Sequence, residues 1–201
     1  MGKSWRTLTT APVAVPDRVA ETGSGAVALG IVDIVGSGNW LNELGDQRYG
    51  ALLDRLKDIW TEAIARHGAR LVSDTGDGCI FVHEAVDVAV AVSREMHVAL
   101  DGLPVANRVQ TRHAVHHGPV VDTRYGLCGA SIYETVDLGD VAEGGHLWIS
   151  EAAIARPIEP LDGAWREVDL PRSGRIVVYD IDLGRIPSKA VDPGSTLSIA
   201  V

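Results

Sequence analysis

The order of its apolar segments constrains what this chain can fold into more than any other feature. A buried strand at residues 27–33 precedes a stretch of helical spacing from Asn39 to His67. Two short strands then surround the Gly-Asp-Gly turn of ARLVSDTGDGCIFV, and a second helix covers EAVDVAVAVSREMHVAL. A strand (NRVQTRHAVHHGPVV), a short helix (GASIYETVDL), a strand (GHLWIS) and a closing hairpin follow. This order predicts an α+β fold, a ferredoxin-like sandwich with helices on one face of a sheet.

Glycines and prolines mark the boundaries within this pattern. Gly45 and Asp46 are expected to divide the first helical stretch into a short and a long helix, and Gly68 to end it. Residues 1–24 are predicted to be a flexible leader, 25–184 one domain, and 185–201 a flexible polar tail.

Composition excludes several classes of function. The net charge of −9 argues against general affinity for nucleic acid or anionic membranes, which favour basic surfaces. The only cysteines, Cys79 and Cys128, form no CxxC pair, so neither a disulfide framework nor a zinc site is indicated. No apolar run is long enough to span a bilayer, and we expect a cytoplasmic protein without membrane or nucleic-acid partners.

Two aspartates interrupt this apolar pattern. Asp33 ends the first strand before two glycines, and Asp77 lies in the turn of the following strand pair. Taken alone, Asp33 reads as an ordinary strand-end residue. If the fold brings both carboxylates together, however, they repel one another unless a cation lies between them. Carboxylate oxygens are the preferred ligands of hard divalent cations, and the neighbouring glycines would allow backbone N–H groups to approach a polyphosphate.

The same segments resemble a known family. GIVDIVGSGNWLNELGDQRYGALLDRLKDIW and HGARLVSDTGDGCIFVHE, followed by VQTRHAVHHGPVV, GGHLWISEAA and RIVVYDID, are similar in order to the catalytic domain of class III adenylate and guanylate cyclases. The similarity covers roughly residues 25–183. It implies a mixed, mainly antiparallel sheet and conversion of a nucleoside triphosphate to a 3′,5′-cyclic monophosphate and pyrophosphate. It also implies a head-to-tail dimer with its sites at the interface.

The resemblance assigns roles to particular residues. Two Mg²⁺ or Mn²⁺ ions would bind the Asp33 and Asp77 carboxylates and the Ile34 carbonyl. The triphosphate would lie against the turn residues Val35, Gly36 and Ser37.

Other functional positions depart from the family pattern. The purine-reading lysine is replaced by Ser73, and its partner by Gly126. Lys57, the only lysine between residues 25 and 183, belongs to the long helix, so we expect no nearby replacement. Base preference is therefore expected to be unusual, with a pyrimidine as one option.

The family's transition-state asparagine and arginine are also missing, since Tyr133 and Asp137 stand at those positions. An aspartate facing the reacting phosphate would have the wrong sign of charge, and losing one such electrostatic group costs about 10²- to 10³-fold in rate. Arg124 is a weak candidate for compensation; an ordinary solvated loop arginine is the simpler interpretation.

For several other residues, a structural role is a simpler interpretation than a functional one. Arg112 is expected to be an ordinary surface charge, and Tyr125 and Tyr133 to fill the emptied base pocket. His116 and His117 are adjacent on a strand and would point to opposite faces, so with His113 they are assigned structural roles.

Three hypotheses remain open. The chain is an active cyclase with altered base preference, a degenerate domain that binds nucleotide or a protein partner without turnover, or a purely structural module. A homodimer is expected in each case; the alternative is a heterodimer whose other chain supplies the missing asparagine and arginine.

Overall fold

The computed structural model describes residues 24–100, 103, 109–156 and 161–185. The predicted leader and tail lie outside these residues, apart from Ser24 and Arg185 at their edges. The strands are β1 (Ser24–Ile34), β2 (Arg70–Asp74), β3 (Gly78–His83), β4 (Thr111–Thr123), β5 (Gly126–Cys128), β6 (His146–Ser150), β7 (Ala164–Leu170) and β8 (Gly174–Asp182). The helices are α1 (Ser37–Arg66), α2 (Val86–Leu100), α3 (Ala130–Val141) and α4 (Glu151–Ile154), with a 3₁₀ turn at Leu183–Arg185. No described helix is long and apolar enough to cross a bilayer.

The strands form one sheet in the order β2-β3-β1-β4-β6-β8-β7, and β5 pairs with the end of β4. All pairings are antiparallel except that of β4 with β6. The first four strands in space, β2-β3-β1-β4, follow the ferredoxin-like order, which confirms the predicted α+β class. The short strand β5 was not predicted.

Side chains of β1 alternate between two cores. Val32 packs in a cluster with Trp60 of α1 and Met96 of α2, whereas Ile31 packs with Leu138 of α3. Successive residues of a strand point to opposite faces, so α3 lies on the face opposite α1 and α2. The expectation that helices occupy one face therefore holds for α1 and α2 but not for α3.

Two glycines make this packing possible. A Cβ on Gly139 would lie 2.7 Å from Ile31 Cγ2, so its absence lets α3 approach β1 closely. A Cβ on Gly30 would lie 2.1 Å from Phe81 Cζ, because the buried Phe81 ring covers this position on the other face. Each glycine leaves room for an apolar side chain of the neighbouring element.

The predicted breaks in the first helical stretch are confirmed. Gly45 has φ 71° and ψ 165° inside α1, which divides it into a short and a long helix. Gly68 has φ 68°, and its N–H donates to Ala65 O at 3.1 Å while Ala69 N donates to Ile64 O at 3.0 Å. These bonds satisfy the last carbonyls of α1, and the chain then enters β2.

Candidate functional site

Asp33 lies near the end of β1, on the sheet face that carries α3. It pairs in register with Arg112 of β4 on one side and with Gly78 of β3 on the other. Arg112 Nε and Nη2 donate to Asp33 Oδ2 at 2.9 and 2.7 Å. Both side chains are mostly buried, with 19% of Asp33 and 24% of Arg112 exposed. Arg112 is thus the direct counter-charge of Asp33, rather than the ordinary surface charge that its sequence position suggested.

Arg112 also contacts the C-terminal end of α3. Its Nη1 donates to the Asp140 carbonyl oxygen, and its Nη2 lies 3.8 Å from Asp140 Oδ1. A cation at the C-terminal end of a helix complements the unsatisfied carbonyl groups there. A single guanidinium therefore links the end of β1 to the end of α3.

The turn that contains Asp77 is held against the end of β1. Ile34 N donates to Asp77 O at 3.1 Å. The next residue, Gly78, lies so close to Asp33 that a Cβ there would be 2.3 Å from Val32 O and 3.1 Å from Asp33 Oδ1. The structure thus brings the backbone of the Asp77 turn directly alongside Asp33.

The electrostatics of Asp33 reflect this crowding. Burial is the main cause that raises the pKa of the Asp33 carboxyl, and repulsion from Asp77 and Asp140 adds to the rise. The hydrogen bond and positive charge of Arg112 oppose it. The carboxylates of Asp33, Asp77 and Asp140 form a partly buried cluster that we call the Asp33 corner. Their mutual repulsion favours a cation, and Arg112 supplies one in the protein alone. The oxygen donors match what a hard divalent ion requires, but an ion at Asp33 Oδ2 would have to displace Arg112.

The predicted triphosphate turn leads directly into α1. Gly36 has φ 67°, and its carbonyl accepts from Asn39 N at 2.9 Å. Val35 N donates to Gln110 O at 2.9 Å, so this N–H is already engaged within the protein. Ser37 begins α1, where the first N–H groups of a helix lack intrahelical partners. The backbone donors available to an anion therefore come from Gly36 onward rather than from Val35.

Tyr49 joins this corner from the longer part of α1, and sequence reasoning missed it. Burial raises the pKa of its hydroxyl, the negative charges of Asp77 and Asp33 add to the rise, and a side-chain hydrogen bond with Ser37 opposes it. Its phenol group therefore lies near the predicted triphosphate turn and both aspartates. A tyrosine one turn beyond the break at Gly45 was the only sequence signal, and it is a weak one.

Ser73 and Gly126, which the resemblance places at the base-reading positions, carry no charge. Ser73 is exposed and pairs with Ile80, whose side chain faces α3. Gly126 has φ 126° in the β4–β5 turn, and its carbonyl accepts from Thr123 Oγ1 at 2.7 Å. Lys57 Nζ donates to Asp74 Oδ2 at 2.8 Å.

Lys57 lies on the face of the sheet that carries α1 and α2, whereas Ser73 faces the α3 side. Asp74 pairs with Cys79, whose side chain belongs to the α1–α2 core. Lys57 therefore contacts the residue next to Ser73 but lies on the opposite face of the sheet.

At Tyr133 and Asp137, the positions where the resemblance led us to expect asparagine and arginine, α3 contacts the β7–β8 turn. Asp137 is fully buried, Tyr133 is 61% exposed, and both contact Arg172. The Asp137 carboxylate accepts from Arg172 Nε and from Arg172 N. The expectation that this aspartate would face a reacting phosphate is therefore wrong, because its charge is turned inward onto an arginine.

The remaining candidate arginine is solvent-exposed. The Arg124 guanidinium carbon lies 4.5 Å from the ring centroid of Tyr125, which is 85% exposed. Tyr125 and Tyr133 are both largely exposed, so the expectation that they fill a pocket is wrong for the described part of this chain.

Two of the strand histidines, His113 and His116, lie on opposite faces of β4. His113 is buried on the α2 side, where its Nε2 lies 2.9 Å from Thr111 Oγ1 and its ring is 6.2 Å from that of His97. On the α3 side, His116 Nδ1 lies 2.9 Å from Ser150 Oγ and Nε2 lies 3.1 Å from Glu134 Oε2. Within the described ranges no three His, Cys, Asp or Glu side chains are grouped to hold a metal.

A cavity of about 520 Å³ lies between α3, the start of α4 and the β7–β8 hairpin. Its walls include His116, Glu134, Leu170 and Arg175. None of the predicted site residues lines it, so it is separate from the Asp33 corner.

No protein-family model matches the sequence, and no curated protein matches it. Solved structures do. The catalytic core of a rhodopsin-guanylyl cyclase with converted specificity, in complex with ATPαS, aligns with TM-score 0.70 and 17% identity over 80% of this chain and 98% of that one. The adenylyl cyclase CyaB from P. aeruginosa aligns with TM-score 0.69 and 16% identity, over 81% and 96%. The guanylate cyclase domain of RhGC from Catenaria anguillulae, in complex with GTP, aligns with TM-score 0.67 and 17% identity, over 79% and 97%.

These alignments span almost the whole of each cyclase domain. At this level of identity the likeness establishes the fold. The chain has the fold of a class III adenylyl and guanylyl cyclase catalytic domain.

Proposed function

We propose that this domain binds a nucleoside triphosphate with divalent metal at the Asp33 corner and cyclises it. The observation that carries the proposal is the junction of the two turns: Ile34 N donates to Asp77 O, and Gly78 packs against Asp33 without a side chain. This close junction brings the carboxylates of Asp33 and Asp77 near enough to repel one another, which is costly without a cation. Asp33, Asp77 and the Ile34 carbonyl would hold Mg²⁺ or Mn²⁺.

The reaction balances without further reactants. The ribose 3′-oxygen forms a bond to the α-phosphorus, and its proton passes to solvent. The bond from the α-phosphorus to the bridging oxygen breaks, and pyrophosphate leaves with that electron pair. Bound divalent ions would lower the pKa of the 3′-hydroxyl and neutralise the phosphates.

Arg112 has a defined part in this scheme. It neutralises Asp33 in the protein alone, and a metal ion at Asp33 would release its guanidinium. The released cation would remain within reach of the same corner, where it can pair with a phosphate oxygen. Metal and triphosphate should therefore bind cooperatively, since the metal frees the arginine that favours the phosphate.

The turn residues Gly36 and Ser37 would contribute backbone N–H groups to the triphosphate, with Val35 shaping the turn. Tyr49 would support Ser37 through their hydrogen bond. Ser73 and Gly126 would border the base without discriminating for a purine, so the base preference is proposed to be non-standard and to extend to pyrimidines.

We further propose that a second copy completes the site, as a head-to-tail homodimer. Within the described chain, Arg112 links the Asp33 corner to the end of α3 that lies far from Tyr133. Groups near the start of α3 would then serve the partner's triphosphate. A heterodimer with a different cyclase-like chain would serve the same purpose.

A second candidate function is nucleotide binding without turnover. It is favoured by one observation, namely that Asp137 is fully buried and neither Tyr133 nor Asp137 offers a cation of its own. In that case, the domain would regulate a partner through its nucleotide-bound state.

The experiment that separates these functions uses purified protein with Mn²⁺ and each of ATP, GTP, CTP and UTP. Cyclic product from the unsubstituted protein, lost in Asp33→Asn and Asp77→Asn, supports cyclisation. Metal-dependent binding without product supports the second candidate. Neither binding nor product would refute both.

A further inference from the structure

The β7–β8 turn and α3 form one polar unit at the former transition-state positions. The Asp137 carboxylate receives three contacts from Arg172: backbone N to Oδ2 at 3.1 Å, Nε to Oδ1 at 2.6 Å, and Nη2 to Oδ1 at 2.5 Å. Asp137 has no exposed surface, whereas 53% of the Arg172 side chain is exposed. The negative end of this ion pair is therefore inside the protein, and the positive end faces outward.

Tyr133 restrains the same guanidinium from a second direction. It lies one helical turn before Asp137, and the Arg172 guanidinium carbon is 5.6 Å from its ring centroid. A guanidinium near an aromatic face gains a cation–π attraction. Arg172 is thus held by a buried carboxylate along one edge and by an aromatic ring beside it, while its Nη1 has no hydrogen bond to any described residue.

Pairing with the Asp137 carboxylate does not prevent the Arg172 guanidinium from stabilising a negative charge on a ligand. Because Asp137 is buried and Arg172 is half exposed, the pair acts as a fixed dipole with its positive end toward solvent. Preorganised donors and dipoles of this kind stabilise charge that develops on a reacting phosphate. A planar guanidinium also offers its free edge to two oxygens at once.

Building on the proposed function, we infer that Arg172 is the catalytic cation of the reaction. It contacts the α-phosphate bound at the partner's Asp33 corner, in the role that the family gives to an arginine on the helix. Asp137 and Tyr133 are positioning residues that fix the guanidinium. The cation has moved from α3 to the β7–β8 turn, and Asp137 is the residue that holds it there.

Other arginines in the described chain fit this role less well. Arg124 lies on an exposed loop, where its guanidinium packs over the ring of Tyr125 and contacts no carboxylate of a described residue. Arg175, close to Arg172 in the same hairpin, is 69% exposed and lies 3.3 Å from the exposed carboxylate of Asp169. Arg175 therefore serves as the matched control.

The test is a mixing experiment between two variants of the full chain. Arg172→Ala retains its own Asp33 corner, and Asp33→Asn retains Arg172; each alone should lose at least 100-fold in kcat. If Arg172 acts on the partner's corner, then mixing the two in equal amounts restores about a quarter of the unsubstituted rate, since half of the dimers then contain one complete site. Arg175→Ala should remain within about threefold of the unsubstituted protein.

Readouts other than rate separate a catalytic from a structural role. Arg172→Ala should keep its KM and its affinity for the metal-bound triphosphate within about threefold, because its contact forms mainly in the transition state. Arg172→Lys should recover part of the rate. The double variant Arg172→Ala/Asp137→Asn carries the test if the single variant folds poorly, and it should be stable yet remain slow.

Two results would overturn the inference while leaving the proposed function intact: a kcat within threefold of normal for Arg172→Ala, or recovery of full rate in the stable double variant. Failure of the mixture to exceed its separate components would also overturn it. Absence of product from the unsubstituted protein would instead refute cyclisation itself, and Arg172 as its catalytic cation with it.

Discussion

Replacing Arg172 by alanine leaves a fully buried carboxylate without its guanidinium. Asp137 would lose the 2.6 Å bond from Nε and the 2.5 Å contact with Nη2, and keep only the 3.1 Å bond from the backbone N–H. Removing one partner of a buried ion pair costs about 3–5 kcal/mol. Because the Arg172 side chain is half exposed, we expect the lower end, about 3 kcal/mol, which corresponds to a fall in Tm of about 6–12 °C for a domain of this size.

Thermal and urea unfolding followed by circular dichroism would measure this loss. Adding Asp137→Asn to Arg172→Ala removes the buried charge, and this double variant should recover to within about 1.5 kcal/mol of the unsubstituted protein. Arg175→Ala, which removes only exposed contacts, should change stability by less than about 0.5 kcal/mol. If Arg172→Ala loses less than 1 kcal/mol, or if the double variant is no more stable than the single one, then Asp137 is not held as a buried anion.

Three further predictions concern the core, the pH dependence and the Asp33 corner. Gly30→Ala should cost at least 1–3 kcal/mol in urea unfolding because its Cβ would overlap the Phe81 ring, and Phe81→Leu should relieve part of that cost; equal losses in both backgrounds would contradict the contact. Burial lowers the pKa of His113 to about 3, so the unfolded chain binds the extra proton first, and stability should fall as pH drops from about 6.5 toward 3. His113→Asn should flatten this dependence in acid titrations, and an unchanged slope would refute it. Arg112→Gln should raise the affinity for Mn²⁺ alone and lower that for the metal-bound triphosphate, each by about tenfold in calorimetry, and changes of the same sign would contradict competition at Asp33.

The order of helices and strands along the chain could be predicted because apolar periodicity and glycine turns mark nearly every element. Gly45 and Gly68 divide and end α1 where the sequence indicates, since their positive φ values are costly for other residues. The position of α3 could not be predicted, because its short amphipathic pattern is compatible with either face of the sheet. The small Gly139 is the feature that allows its close approach to β1.

The candidate site was predictable where residues are close in sequence to a turn, and not where they meet across the fold. Asp33 and the Asp77 turn follow from the two glycine-bearing segments. The pairing of Asp33 with Arg112 depends on the register of β1 and β4. The pairing of Asp137 with Arg172 joins residues 35 positions apart, across a hairpin turn whose sequence gives no sign of its direction.

These contacts change how the substitutions at the family's positions are interpreted. Asp137 appeared in the sequence as a charge of the wrong sign facing a phosphate. In the fold it is the buried partner of an arginine from another element, so this region does carry a positive charge.

We propose above all that the carboxylates of Asp33 and Asp77 together bind a divalent cation with a nucleoside triphosphate. The most direct test measures the thermal unfolding of the full chain with Mn²⁺, with triphosphate, and with both together. At about 100 times the dissociation constant, both ligands together should stabilise the protein by about 2.7 kcal/mol, a rise in Tm of about 5–10 °C.

Neither ligand alone should produce this shift. Asp33→Asn and Asp77→Asn should abolish it, while Asp58→Asn, which changes an exposed carboxylate on α1, should leave it unchanged. A full shift in Asp33→Asn, or none in the unsubstituted protein with any of the four triphosphates, would contradict the account.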